Sequence, residues 1–401
     1  MNFNGYSPLE QLAGEYGGAV EYDRFGTPSI YQRLYRVSSA ALASALPDHA
    51  HPAFVLGDEV RDVILIGRYE ACELAEAGPL HTLAHVPPAA HDSYDGYLAR
   101  MRASGATGLT IADHGLLVLI AHHDKLNPKG NTARNCSHKD GTPWEPGAAV
   151  TAGTVRVYHG AAYTCKVSHT TAAENRPDVS RAHWTQGRFV GGAPSHYKEI
   201  GEDTGWQGWS TITGSGPMSW YMDGNAASLC DVVGNVSECV YGMRLVRGEI
   251  QILAEDNFAA SPEAKLGADG AWKAILPGAD GSCSLVSPGT AGTVHYTVSG
   301  GKIVLDTVEP DIDDSLYATD FKSIGSNLAS VPVILYELGL APLPGTTVEG
   351  RVYITLTDEE LVPRRGGCYI DGNAAGIAAL DFTEGRETTA STIGARMRTY
   401  I

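Results

Sequence analysis

The sequence predicts an α+β fold with a small all-β insert, and three observations carry that prediction. Short strand-like runs bounded by glycine and proline recur along the whole chain, whereas helical patterning is confined to a few segments. In the tail, Leu380 and Phe382 alternate with Asp381 and Thr383, the period of a strand with one buried face. Residues 144–188 change character and carry an aromatic pattern of their own.

Taken in order, Tyr22 to Leu46 has room for a short helix, and Pro47–Pro52 reads as a linker. Asp62 to Glu70 reads as a buried strand. Ser93 to Ser104 reads as a helix closed by Gly105. Thr110-Ile111-Ala112-Asp113 is a capping box, with Asp in place of the usual Glu, opening a helix through His123. Residues 124–143 and 191–216 are polar or Gly-rich loop. Cys239–Leu245 and Glu249–Leu253 flank Arg247-Gly248 as a candidate hairpin. Residues 262–310 alternate short strands with turns, Val331–Leu340 fits a helix or a strand, and Arg351–Leu356 alternates as a strand.

The chain has 401 residues, enough for a large core and more than one domain. Hydrophobic content of 43% and charged content of 19% belong to a folded protein, and 47 glycines with 21 prolines supply its many turns. A net charge of −17 argues against nucleic acid and against anionic lipid, which need clustered Lys and Arg. The seven cysteines are odd in number and scattered without a CxxC pair, which favours thiols over a disulfide framework. Met1 to Tyr6 lacks a basic region followed by an apolar run, so no signal peptide is expected. Gly115–Ala121 and Val331–Leu343 are too short or interrupted to insert in a membrane.

The tail alternates two kinds of position. Gly366, Gly367, Gly376, Leu380, Phe382, Ile393 and Arg396 are of structural type, and between them lies a scatter of unrelated side chains. A fixed scaffold holding a chemically arbitrary face suits recognition, whereas catalysis needs particular acids, bases or nucleophiles. No nucleophile elbow, P-loop or HExxH motif occurs.

Several segments together resemble one family. Gly214 to Gly224 leads into Asp231-Val232-Val233-Gly234-Asn235-Val236-Ser237-Glu238-Cys239. This is similar to the Asp-x-x-Gly-Asn-Val-x-Glu-Trp core of the formylglycine-generating-enzyme-like branch of the C-type lectin fold. Ile66-Gly67-Arg68-Tyr69-Glu70, Arg365-Gly366-Gly367 and Ile393-Gly394-Ala395-Arg396 match that branch's strand and closing elements. The tail further resembles the variable region of diversity-generating retroelement proteins, in which a template rich in AAY codons is copied with errors at adenine. The closing Ile-Gly-Ala-Arg is that of the phage tropism-determinant subset. Two departures stand out: Cys239 replaces the family's Trp, and Ala395 replaces the aromatic of its Gly-Phe-Arg element.

The resemblance covers roughly residues 56–143 and 189–401 in scattered motifs, with the variable region at 365–396. It implies a diversified receptor-binding protein at a phage tail-fibre tip, carried on the virion. Its expected contact residues are Cys368, Tyr369, Ile370, Asp371, Asn373, Asp381, Thr383, Glu384, Glu387, Thr389, Ser391 and Thr392. Glu384 and Glu387 are unreachable from AAY, so they are fixed or come from other codons. The implied partner is a host surface protein or glycan, engaged by a homo-oligomer such as a trimer. Residues 1–55 are then expected to serve attachment or oligomerisation. No enzyme activity, cofactor or metal is expected.

Residues 144–188 resemble the small chitin-binding-type carbohydrate modules: an opening Trp144, Tyr158-x-Gly160-x-x-Tyr163, Ser168-His169-Thr170, Pro177 and a closing Trp184. That resemblance makes Trp144, Tyr158, Tyr163 and Trp184 candidate glycan contacts, while so small a unit also needs aromatics for its own core. Two alternatives to the receptor-binding reading stand beside it. One is a glycan-binding adhesin acting through the insert. The other is a formylglycine-generating-type copper oxidase, for which Cys230 and Cys239 are the nearest cysteine pair. His122-His123-Asp124 reads as a helix end, and Asp306, Glu309, Asp311, Asp313 and Asp314 as a solvated acidic loop.

Overall fold

Strands dominate the architecture and helices cover it, an α+β arrangement. The computed structural model describes residues 14, 17–133, 136–137, 142–158, 161–189, 192, 198–200, 205–207, 210–253 and 271–400. Trp209 and other parts of the Gly-rich loop at 191–216, with the start of the strand-and-turn region at 262–270, lie outside the described residues.

Three sheets form the body. The first runs Gly18–Tyr22, Pro28–Tyr35, Val63–Gly67, Met397–Tyr400, Thr107–Gly108, with every neighbour antiparallel. The strand Pro28–Tyr35 thus takes part of the segment with room for a short helix, and that helix is Ser39–Leu42. Tyr31 pairs with Gly67 and Tyr35 with Val63, so the ladder crosses the expected domain boundary at residue 55. From Gly18 onward the N-terminal segment is therefore built into the body rather than set apart from it.

The second sheet runs Leu316–Asp320, Arg351–Thr355, Leu380–Phe382, Arg364–Arg365, Ser237–Cys239, Ile393–Ala395. It gathers the motif around Asn235 and three pieces of the tail into one layer. The third sheet contains the expected hairpin, Met243–Val246 against Glu249–Leu253, with Arg247 and Gly248 both at positive φ. Trp272–Pro277, Cys283–Val286, His295–Ser299 and Lys302–Asp306 extend it.

Both expected long helices form where their caps place them. Ser93 caps Tyr94–Ala103 through the Gly96 amide, and Gly105 follows at φ +85°. Thr110 and Asp113 exchange bonds across the start of Ile111–Asp124, which puts His122 and His123 in its last turn. This second helix is buried nearly all round, and a methyl at Gly115 would come 2.0 Å from the Glu337 carbonyl oxygen. Only glycine permits that approach to Val333–Glu337, which resolves as a helix. The main core runs through these layers, joining Ile64 and Ile66, Leu116, Val352 and Ile354, and Leu380 and Phe382.

A second cluster surrounds Cys239. Cys239 is buried among Tyr94, Tyr97, Tyr241 and Trp272, so neighbouring aromatics supply volume around the smaller thiol. Tyr94 and Tyr241 stand 4.4 Å apart by ring centroid, and each hydroxyl donates to a carbonyl of the other's segment.

The insert is a separate small β unit. Val155–Tyr158, Ala161–Cys165 and Trp184–Phe189 form three antiparallel strands, and Ala149–Val150 pairs with His169–Thr170. Its core is Val150, Tyr163, Cys165 and Trp184, with Trp144 and Tyr158 only partly covered.

Arg396 joins the layers. It is fully buried, donates to both carboxylate oxygens of Glu238 at 2.6–3.1 Å, and reaches the carbonyls of Gly67, Cys230 and Asp231. Removing one partner of such a pair leaves a buried charge without compensation. Arg396→Ala is expected to lower the unfolding free energy by about 3–5 kcal/mol in a urea titration. A loss below about 1 kcal/mol would contradict this account.

Candidate functional site

The tail is assembled from the buried side outward. Arg364–Arg365 lies between Ser237–Cys239 and Leu380–Phe382. Arg365 is fully buried and donates to the carbonyls of Leu338 and Gly339. Gly366 and Gly367 follow at φ +83° and +76°, and the backbone turns sharply there. The next turn is closed by Asp371, whose carboxylate accepts from the Cys368 amide at 2.7 Å. A methyl at Gly376 would meet the Glu349 carbonyl oxygen at 2.2 Å, so this position admits no side chain.

Asn235 fixes the tail to the body. Its backbone has φ +59°, its amide donates to the Asn131 carbonyl at 2.6 Å, and its own carbonyl accepts from the Tyr369 amide at 3.1 Å. Its side chain accepts from the Thr211 amide and from Asn131, and donates to Glu70 at 2.5 Å. The Gly372 amide donates to the Thr132 carbonyl. The later half of the tail is tied down by Arg386, which bonds Glu360 and Asp95 and lies over the Tyr94 ring.

Against this scaffold the expected contact residues divide into three groups. Ile370, Asn373, Glu384, Glu387 and Thr389 are exposed, with Ile370 58% open to solvent. Asp371, Asp381, Thr383, Ser391 and Thr392 are half-buried and several are committed within the fold. Asp381 and Thr383 both accept from Arg364, at 3.2 and 3.1 Å. Cys368 and Tyr369 are instead buried, at 5% and 6% exposure. Tyr369 turns its hydroxyl to Ser391 at 2.8 Å and so links the two halves of the tail. Their position follows from the turn at Gly366-Gly367, which leads the chain inward before Ile370 emerges.

The four aromatics of the insert divide as well. Trp184 and Tyr163, at 2% and 8% exposure, are core, and the Trp184 indole donates to the Asn175 carbonyl. Trp144 and Tyr158 pack edge to face, 5.3 Å apart, and remain accessible. They line a groove of about 870 Å³ whose opposite side carries Tyr369, Ile370, Gly372 and Asn373. Sequence reasoning gave both sets of residues but no signal that they meet.

The chemistry nearby is that of buried acids and thiols. Among the described residues the cysteines are thiols rather than disulfides. Burial pushes Cys239 up to about 12, and pushes Cys230 well above the ordinary thiol range with the charge of Asp231 adding to it. Neither is inclined to form the thiolate that copper(I) ligation needs. The acidic loop is engaged internally: Glu309 bonds Arg247, Asp306 bonds Asn327, and Asp313 accepts from Tyr317.

Glu70, Asp231 and Glu238 lie around one cation, Arg396. Burial raises all three, and for Glu70 the charges of Asp231 and Glu238 raise it well above the usual carboxylate range. An acid raised in the folded state contributes stability below its unfolded value, and that contribution is lost as pH rises through the folded value. Across the interval from the ordinary glutamate value up toward the raised folded one, the folded state therefore loses stabilisation from Glu70. Urea titrations across that interval are expected to give a shallower decline for Glu70→Gln than for the unaltered protein, and equal slopes would refute the assignment.

No protein-family model matches the chain, and no curated protein matches it.

Proposed function

We propose that this chain is a ligand-binding protein of the C-type lectin fold, in its formylglycine-generating-enzyme-like branch, and that it performs no catalysis. More particularly, we read it as a diversity-generating retroelement variable protein, borne on a phage tail-fibre tip and recognising a host surface protein or glycan.

One observation carries the reading. The tail combines backbone positions that admit no side chain, such as Gly376, with exposed side chains that take no part in the core, such as Ile370, Asn373, Glu387 and Thr389. A scaffold so constrained, with a face so unconstrained, suits repeated alteration of the face alone. The buried union of Glu238 with Arg396 adds support, because it brings together the two motif elements on which the resemblance rests. Cys368 and Tyr369, being buried, would alter the shape of the face from beneath rather than contact the target.

The exposed patch is small against the usual ~800 Å² per partner, so a single site binds modestly and several copies on one particle compensate. This favours a homo-oligomer. The adhesin reading keeps one observation in its favour, the accessible Trp144–Tyr158 pair in the insert.

The encoding DNA is expected to hold, nearby, a near-copy of the codons for residues 365–396 that differs mainly at adenines, beside a reverse-transcriptase frame. A complete neighbourhood lacking both would remove the diversification reading. Substitutions on the face test the separation of scaffold and surface. Ile370→Lys and Glu387→Lys should each leave stability within about 0.5 kcal/mol, measured by thermal or urea unfolding. A larger loss at both positions would mean that the face is part of the core.

A further inference from the structure

We propose that the third sheet makes its own covalent cross-link: the Thr293 hydroxyl attacks the side-chain amide of Gln251, forming an ester and releasing ammonia. The inference goes beyond the receptor-binding reading and does not rest on it.

Four buried side chains of this sheet meet. Glu249 and His295 are register partners, and Thr293 lies two residues before His295. Gln251 shares the face of Glu249 by the two-residue period of a strand, and its own register partner is Arg244. Glu249, Gln251, Thr293 and His295 are all buried. The Gly289 amide holds the Glu249 carboxylate, donating to both its oxygens at 3.1 Å.

Both reacting groups bond this one carboxylate. The Thr293 hydroxyl donates to Oε1 at 2.6 Å, with the Thr290 carbonyl at 2.9 Å as its other acceptor. The Gln251 amide nitrogen donates to Oε2 at 2.7 Å. A base bonded to the nucleophile and itself oriented by a third group is the arrangement that activates a hydroxyl. Arg244 Nε donates to the Gln251 carbonyl oxygen at 2.7 Å, while the guanidinium also bonds Glu360 and lies over the Trp272 ring. A cation fixed there polarises the carbonyl and stabilises the charge that develops on its oxygen. His295 donates from Nδ1 to the Thr293 carbonyl and so steadies the residue that carries the hydroxyl.

The reaction balances within the chain. Glu249 takes the hydroxyl proton as Thr293 Oγ1 bonds to Gln251 Cδ, and the former carbonyl oxygen carries the negative charge beside Arg244. Glu249 then gives the proton to Nε2, the Cδ–Nε2 bond breaks, and ammonia leaves. Glu249 ends ionised, as it began, and the event occurs once per molecule. A pocket of about 630 Å³, lined by Arg244, Glu249, Gln251 and Thr293, gives the ammonia a way out. The product closes residues 251–293 into a ring, which restricts the unfolded chain as a disulfide does. Among the described residues the cysteines form no such tie.

The test weighs the full chain, purified, incubated to constant mass and denatured, by mass spectrometry. It is expected to be lighter than its sequence by one ammonia, and a protease digest should contain the peptides of Gln251 and Thr293 joined. Mild alkaline hydroxylamine should part them, because it opens esters and leaves amides intact. Thr293→Val, which deletes the hydroxyl, and Glu249→Gln, which deletes the base, should each keep the full mass of their sequence. Glu309→Gln, on the same pocket but bonded to Arg247, should still lose ammonia. A full sequence mass in the unaltered chain overturns the proposal, whether or not the variants fold. So does an ammonia loss that maps to other residues, or conversion of Gln251 to glutamate, which would mean that water attacks in place of Thr293. A Glu249→Gln chain that folds by circular dichroism and still forms the ester overturns the role given to Glu249. None of these outcomes touches the receptor-binding reading.

Discussion

The buried pair of Arg396 and Glu238 is the constraint on which the rest depends. Burying two ions is costly unless geometry and further bonds compensate, and here all three guanidinium nitrogens donate. The guanidinium reaches two carboxylate oxygens and three carbonyls that belong to segments far apart in sequence. One side chain therefore fixes where Val63–Gly67, the turn at Cys230-Asp231, the strand Ser237–Cys239 and the end of the tail sit. A hydrophobic pair would hold these segments together without setting their register. Burial raises Glu70, and the carboxylates of Asp231 and Glu238, sharing the one cation Arg396, raise it further.

Much of this was legible from local rules. Thr110 with Asp113, Ser93 with Gly105, and Arg247-Gly248 each mark a boundary through a bond the backbone needs, and each boundary forms as read. The strand Leu380–Phe382 follows from its period of two. What was not legible depended on distant partners. The strands Gly18–Tyr22, at the edge of its sheet, and Pro28–Tyr35, next to it, carry exposed Tyr22 and Tyr35 and no clean alternation. Tyr369 looked like a surface residue because its burial is set by the carbonyl of Asn235 and the hydroxyl of Ser391, neither adjacent in sequence. The groove needed both the insert's placement and the tail's turn, and no single segment encodes it.

The site shows a division of labour between backbone and side chain. Gly366, Gly367 and Gly376 hold their positions by conformations or approaches open only to glycine, so the path of the tail does not depend on what its exposed side chains are. Asp381 and Thr383 occupy a middle ground. Both bond Arg364, and a change there would release a nearly buried cation as well as alter the surface. The exposed and half-buried positions of the tail are thus unequal in what they tolerate.

The strand Met397–Tyr400 sits inside the first sheet, between Val63–Gly67 and Thr107–Gly108, rather than at its edge. During synthesis that sheet stays open until the whole tail has been made. Contacts this distant in sequence form late, after the local elements. A substitution in the tail is therefore met by the scaffold only when this strand pairs. A substitution that distorts the turn at Gly366-Gly367 would leave a gap in the middle of a sheet, exposing the edges on both sides to aggregation or proteolysis.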